Sequence, residues 1–209
     1  MRSSNKFGLL AAALAISLAG TAFAETLTTN TPNNQHSSIF LDLTAKSSNL
    51  EITSFDTYFT NHTSVAVYVR ADSYVGYESS SEGWTLLDMV DITNFMSDGD
   101  NYSGSLVLNS GISIAAGETV GICLFSIGSG NRSYIGYTDD SWTGYSNTYA
   151  NDDLILFSDT ANGGLFSQAI YQPRTFAGTV HYNLSSVPEP ASLGVLAVGA
   201  AGLLLRRRR

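Results

Sequence analysis

Between Glu25 and Ser186 apolar residues commonly recur at every second position, and no useful stretch shows the three-to-four spacing of a helix face. Ile39, Leu41 and Leu43 point one way along an extended chain, with Asp42 and Thr44 opposite. Val65, Val67 and Val69 repeat the pattern, with Tyr68 and Arg70 opposite. A period of two is the side-chain period of a β-strand. Leu50 to Phe59 reads as another strand with an irregularity near Ser54. Further strands are expected at Trp84 to Ile92, Gly104 to Leu108, Thr119 to Ile127, Ser133 to Thr138, Asp153 to Phe157 and Thr175 to Leu184. Clusters of Gly, Asn, Asp and Ser separate them, as in Ser97 to Asn101, Gly128 to Asn131 and Asn162 to Gly164. Roughly nine to eleven short strands with turn signals between them predict an all-β domain, an antiparallel β-sandwich. A jelly-roll-like topology is the first expectation and an immunoglobulin-like one the second. The sandwich is expected over 38–185, and the polar, Thr/Asn-rich stretch 25–37 before it as a flexible leader.

Charge narrows the range of partners. The chain has 10 Lys and Arg against 18 Asp and Glu. Arg2, Lys6 and the four terminal arginines hold six of the cations, and Glu189 one of the acids. The remainder therefore carries 4 cations and 17 acids, a net charge of −13. Nucleic acid binding needs clustered cations that displace counterions, and Lys46, Arg70, Arg132 and Arg174 are scattered. Nucleic acid is thus excluded as a partner. The one cysteine, Cys123, has no partner for a disulfide and sits in the apolar run Gly121 to Phe125, where it reads as a small core residue.

Motifs that carry chemistry are sparse. His36, His62 and His181 have no second ligand at helical or hairpin spacing. There is no nucleophile elbow, P-loop or dinucleotide fingerprint. Glu78, Glu82, Asp91 and Glu118 supply the carboxylate pairs a glycosidase would use, but Glu78 and Glu82 fall in the Ser-rich loop YESSSEGW and read as solvated loop acids. No catalytic residues are assigned, and no enzyme activity is expected. Asp98, Asp100 and Asn101 around Gly99 offer oxygen ligands for calcium without completing a calcium loop; no other cofactor is expected. Two loops rich in aromatics remain. Trp142, Tyr145 and Tyr149 lie in SWTGYSNTY, and Tyr77 and Trp84 border the second loop with Tyr74. Aromatic faces beside Asn and Asp suit stacking on sugar rings, so these residues are candidate glycan contacts.

The two ends are unlike the body. Arg2 and Lys6, an apolar run from Phe7 to Gly20, and Ala22-Phe23-Ala24 have the order of a secretory signal peptide cut after Ala24, giving a segment of 1–24. At the other end stand Val187-Pro188-Glu189-Pro190, a largely apolar run over 191–205, and Arg206, Arg207, Arg208 and Arg209. Fifteen helical residues rise only ~23 Å, short of the ~30 Å hydrocarbon core. Seven of them are Ala or Gly. Such a transmembrane helix, separate from the sandwich, makes a transient anchor. Clustered arginines stay cytoplasmic and leave the body outside. Pro188 and Pro190 lack an N–H and bias the preceding residues away from helix, so the strip before the membrane is extended and accessible.

These three parts in this order, over 187–209, resemble the PEP-CTERM sorting signal of Gram-negative bacteria. The resemblance implies recognition by exosortase, an integral-membrane cysteine transpeptidase, cleavage near the Pro-Glu-Pro motif, and passage to the cell surface or beyond. It further implies a setting of exopolysaccharide and biofilm, with matrix polysaccharide a candidate partner. The body resembles uncharacterised secreted sandwich domains in Ile114-Ala115-Ala116-Gly117-Glu118-Thr119 and in Pro173-Arg174-x-Phe176-x-Gly178. The expected function is a non-enzymatic surface or matrix protein. A carbohydrate-binding module is the alternative, and a glycan-acting enzyme the least favoured.

Overall fold

The computed structural model describes residues 23–60, 64–98, 101–128 and 134–185. In chain order the strands are β1 (Phe23–Thr28), β2 (Asn34–His36), β3 (Ser38–Ala45), β4 (Asn49–Thr60), β5 (Ser64–Ala71), β6 (Thr85–Asp91), β7 (Thr93–Asp98) and β8 (Asn101–Ile114). They continue with β9 (Thr119–Ile127), β10 (Tyr134–Thr138), β11 (Thr148–Ala150), β12 (Leu154–Asn162), β13 (Ile170–Tyr171), β14 (Thr175–Phe176) and β15 (Gly178–Ser185). No helix occurs among the described residues. More strands form than alternation shows, because β2, β11, β13 and β14 are two or three residues long and too short to display a period.

The strands make two antiparallel sheets. In one, β15 lies between β1 and β4, β8 pairs with the other side of β4, and β7 lies outside β8. β10 takes over beside β4 at Phe59 and Thr60, and pairs in turn with β2 and β14. The other sheet has the order β11-β12-β3-β9-β5-β6, with β13 also paired to β12. One apolar cluster joins them: Leu41, Leu43, Val65, Val67, Leu124 and Leu156 from the second sheet meet Ile52, Phe55, Leu106, Ile114, Val180 and Tyr182 from the first. The sheets therefore pack face to face around a single core, as the alternation requires.

The irregularity expected near Ser54 is a bulge at Thr53. Opposite β15, Ser54 faces His181 while Ile52 faces Tyr182, so Thr53 is an extra residue. A bulge shifts the side-chain phase by one. Leu50 and Ile52 are buried before it, and Phe55, Thr57 and Phe59 after it. Both halves of β4 thus reach the core, and Asp56 is carried to the outer face.

The outer face of the second sheet is not solvated. Phe40 and Cys123 are fully buried there beneath Tyr74, and Tyr68, Trp84, Phe125, Phe157, Leu165 and Phe166 close around them. Cys123 is the small core residue that its sequence context indicated, and burial pushes its thiol pKa up. β3 is consequently buried on both faces along nearly its whole length.

The leader is ordered, contrary to expectation. Residues 23–28 form β1, aligned with β15 from Phe23 opposite Leu184 to Thr28 opposite Thr179. Residues 34–36 form β2. An edge strand needs little apolar sequence: Leu27 anchors β1 in the core, and the Thr28 and Thr179 hydroxyls meet across the pair at 3.0 Å. Threonine favours strands as well as solvent, which is why composition read as flexibility. Ala24 of the expected cleavage site lies within β1. Ala22 and the residues before it in the expected signal peptide lie outside the described residues, as do Val187 to Pro190, the run 191–205 and the arginines 206–209.

Candidate functional site

The aromatic loops converge, but mostly inward. The Tyr74 hydroxyl accepts from the Asp159 backbone N–H at 2.9 Å, and the Tyr145 hydroxyl donates to the Asp159 carboxylate at 3.2 Å. Thr175 donates to Tyr145 in turn, and burial pushes the Tyr145 hydroxyl up to about 12. Tyr149 is half-buried against the main core. Trp84 packs edge-on to Phe40 at 5.8 Å between ring centroids, and its indole N–H donates to the Tyr77 carbonyl. The Arg70 guanidinium lies 3.5 Å over the Tyr77 ring. Of the five candidate glycan contacts, Trp142 is the exposed one, at 42%.

The cations among the described residues are engaged as well. Lys46 donates to the Asn151 carbonyl at 2.9 Å. Arg174 stands 5.0 Å over the Tyr137 ring and 3.9 Å from the Asp139 carboxylate. Ser141 and Asn33 donate to that carboxylate, and these bonds with Arg174 nearby hold Asp139 below the usual carboxylate range. Behind Tyr137, His36 stacks on Tyr171 at 4.1 Å, and burial with the Arg174 charge lowers its pKa. Glu78 is buried, contrary to its reading as a solvated loop acid, because Asn162 draws its backbone inward with a 2.7 Å bond to its carbonyl. Glu82, Asp91 and Glu118 are exposed.

Asp42 is the acid under most tension. It is 6% exposed beneath the aromatic layer, accepting from the Ser73 hydroxyl at 2.5 Å and the Tyr74 N–H at 2.8 Å. Burial outweighs these bonds and the nearby Arg70, and raises its pKa above the ordinary 3.8. A carboxyl raised in the folded state contributes stability below its unfolded-state pKa, lost as pH rises through the higher folded value. Asn at this position can still accept from Tyr74, and its amide can donate to Ser73. Asp42→Asn is therefore expected to stabilise the protein by about 1 kcal/mol near pH 7. The gain should vanish below about pH 4, where both side chains are neutral. Thermal melts of the two proteins across that range check this.

Asp98 pairs with Asn101, so the expected calcium residues close a two-residue β-hairpin whose tip, Gly99 and Asp100, lies outside the described residues. A Gly-Asp pair between two paired strands is a hairpin-turn signal. Among the described residues, no three His, Cys, Asp or Glu side chains come together as a metal site.

The outer face of the first sheet holds a cavity of about 280 Å³. Asp56 of β4, Ser105 of β8 and Gly178 at the start of β15 lie on adjacent strands that floor it; Thr29, Asn30 and Met96 flank it. The Asp56 carboxylate meets the His181 Nε2 at 2.6 Å and accepts from the Ser105 hydroxyl at 2.6 Å. Asn30 donates to the Gly144 carbonyl at 3.5 Å, which joins the rim to the Trp142 loop. Nothing in the sequence groups these residues. They meet only through strand pairing, the Thr53 bulge and the ordering of residues 23–36, so sequence reasoning passed over them.

No curated protein sequence matches the chain. Among solved structures it is similar to a subviral particle of infectious bursal disease virus VP2, with 11% identity over 96% of this chain and 54% of that one, at a TM-score of 0.28. A T13 particle of the same virus matches at 9% identity over 87% and 44% of the two chains, at a TM-score of 0.29. The chain spans about half the length of these proteins, and likeness at that TM-score carries no functional inference. The C-terminal segment is informative instead: residues 186–209, which follow directly on β15, match the PEP-CTERM protein-sorting motif, and this motif implies an exported protein sorted by exosortase.

Proposed function

We propose that the chain is a non-enzymatic protein of the cell surface or the extracellular, exopolysaccharide-rich matrix, delivered there by exosortase. The observation that carries this reading is the direct succession of β15 by the sorting motif. The last strand of the sandwich ends at Ser185, and the matched segment begins at the next residue in the sequence. In this reading residues 1–24 direct export, 191–205 hold the chain briefly in the inner membrane, and the arginines stay inside. The engagement of Asp42, Asp139, Arg70 and Arg174 in packing and hydrogen bonds supports a structural role for the body. Repeated crossing of the chain between sheets, from β3 to β4 to β5 and from β8 to β9 to β10, supports a jelly-roll-like wrap.

Replacing Arg206 to Arg209 with serine, or Pro188-Glu189-Pro190 with alanine, is expected to leave full-length precursor in the inner membrane. Membrane fractionation with immunoblotting reads the outcome; normal processing of both variants refutes the proposal. A second reading, a carbohydrate-binding module, is favoured by the exposure of Trp142 and the contact of its loop with Asn30.

A further inference from the structure

We propose that the cavity over Asp56 binds one neutral sugar unit of a polysaccharide, with Trp142 beside it as a platform for a neighbouring unit. This rests on the carbohydrate reading and moves its centre from the aromatic loops to the outer face of the first sheet. The lining is chemically selective. Thr28, Thr29, Ser103, Ser105 and Thr179 contribute hydroxyls and Asn30 an amide. The Ser105 and Thr29 protons go to Asp56 and the Phe176 carbonyl, so those oxygens offer acceptor lone pairs, and the mixed polar lining matches a polyol and not an apolar ligand. Among the described residues no Lys or Arg lines the cavity and Asp56 does, so an anionic ligand is disfavoured. Both Asp56 oxygens are already engaged by His181 and Ser105, which makes the carboxylate a poor ligand for a cation. It retains lone pairs that accept from sugar hydroxyls.

Size and shape agree with one ring. A volume of about 280 Å³ is enough to seat a single sugar ring. Met96, 68% exposed at the rim, offers an apolar surface to the C–H face of a ring. The walls are set in advance of binding. Thr29 donates to the Phe176 carbonyl at 2.8 Å and accepts from the Gly178 N–H at 2.9 Å. Asn94, with φ of 53°, sits where β7 slips against β8 and turns Met96 toward the cavity. Pre-formed walls lower the ordering cost of binding. The exposed Trp142 stands two residues before Gly144 in the chain, whose carbonyl Asn30 of the cavity lining holds.

The test is a glycan array of neutral and anionic polysaccharides probed with the labelled full chain in detergent. Binding to at least one neutral glycan is expected. Ser103→Trp, which fills the cavity from a half-buried outward position, should reduce that binding about tenfold or more, with an unchanged melting temperature. Thr179→Trp serves the same purpose should the first variant fold poorly. Trp142→Ala should weaken binding by a smaller factor. Binding to anionic glycans alone, to no neutral glycan, or unchanged in a folded cavity-filling variant overturns the proposal. Binding lost in Trp142→Ala and intact in Ser103→Trp also overturns it, while leaving the aromatic-loop reading standing.

Discussion

Gly178→Ala is expected to destabilise the protein by about 3–5 kcal/mol, enough to consume a large part of the stability of an ordinary domain. A Cβ at this position would stand 2.0 Å from the Asp56 carbonyl oxygen and 2.9 Å from the Phe176 ring. Neither can yield cheaply. Asp56 belongs to the backbone of β4, which β15 pairs on one side and β8 on the other. Phe176 is fully buried and packs edge-on to Phe55. Relief therefore means separating β15 from β4 at the corner where the Thr29 backbone N–H and the Thr57 hydroxyl also donate to the Gly178 and Ala177 carbonyls. Gly117→Ala is the control. Its φ is +82°, but nothing lies within 4 Å of the added atom. Only the backbone cost of about 1–2 kcal/mol applies there. Urea unfolding of both variants reads the difference, and equal losses would show that β15 does not approach β4 this closely.

Phe40→Ala is expected to cost about 3–5 kcal/mol, as much as removing a phenylalanine from the main core. The side chain is fully buried, with Tyr74 and Trp84 each 5.8 Å away between ring centroids. It lies on the same face of β3 as Asp42, opposite Leu41 and Leu43. What buries it is the chain between β5 and β6 together with Leu165 and Phe166 after β12. The loss should therefore be felt in those two segments first. Amide exchange should quicken over 74–84 and 163–168 at denaturant levels that leave the β4–β8 pairing protected. A melt within 1 kcal/mol of the parent protein would mean that the aromatic layer contributes little.

Leu41 and Phe40 show where legibility in the sequence ended. The inward face of β3 was readable because Ile39, Leu41 and Leu43 recur at every second position with Asp42 and Thr44 opposite, and such a period is a local property of an extended chain. The covering of its outward face depends on Tyr74, Trp84, Leu165 and Phe166, which lie in loops and carry no period. The same division runs through the candidate site. Trp142 was legible as an exposed loop aromatic and is one. Tyr145, Tyr149 and Trp84 carried the same signal and are engaged in packing, because an aromatic in a loop looks alike whether the loop folds in or out.

By itself, the sequence determined the all-β class, the irregularity in β4 and the sorting segment at 186–209. These rest on short-range patterns: side-chain period, a phase break, and a linear signal that a membrane enzyme reads without the fold. Only the tertiary structure decided that the Thr-rich stretch after Ala24 is a strand, that β3 is covered on both faces, and that Asp56, Ser105 and His181 meet. Each of those requires pairing between segments far apart in the chain, β1 with β15 or β4 with β8 and β15, and a polar residue has no local mark of its distant partner.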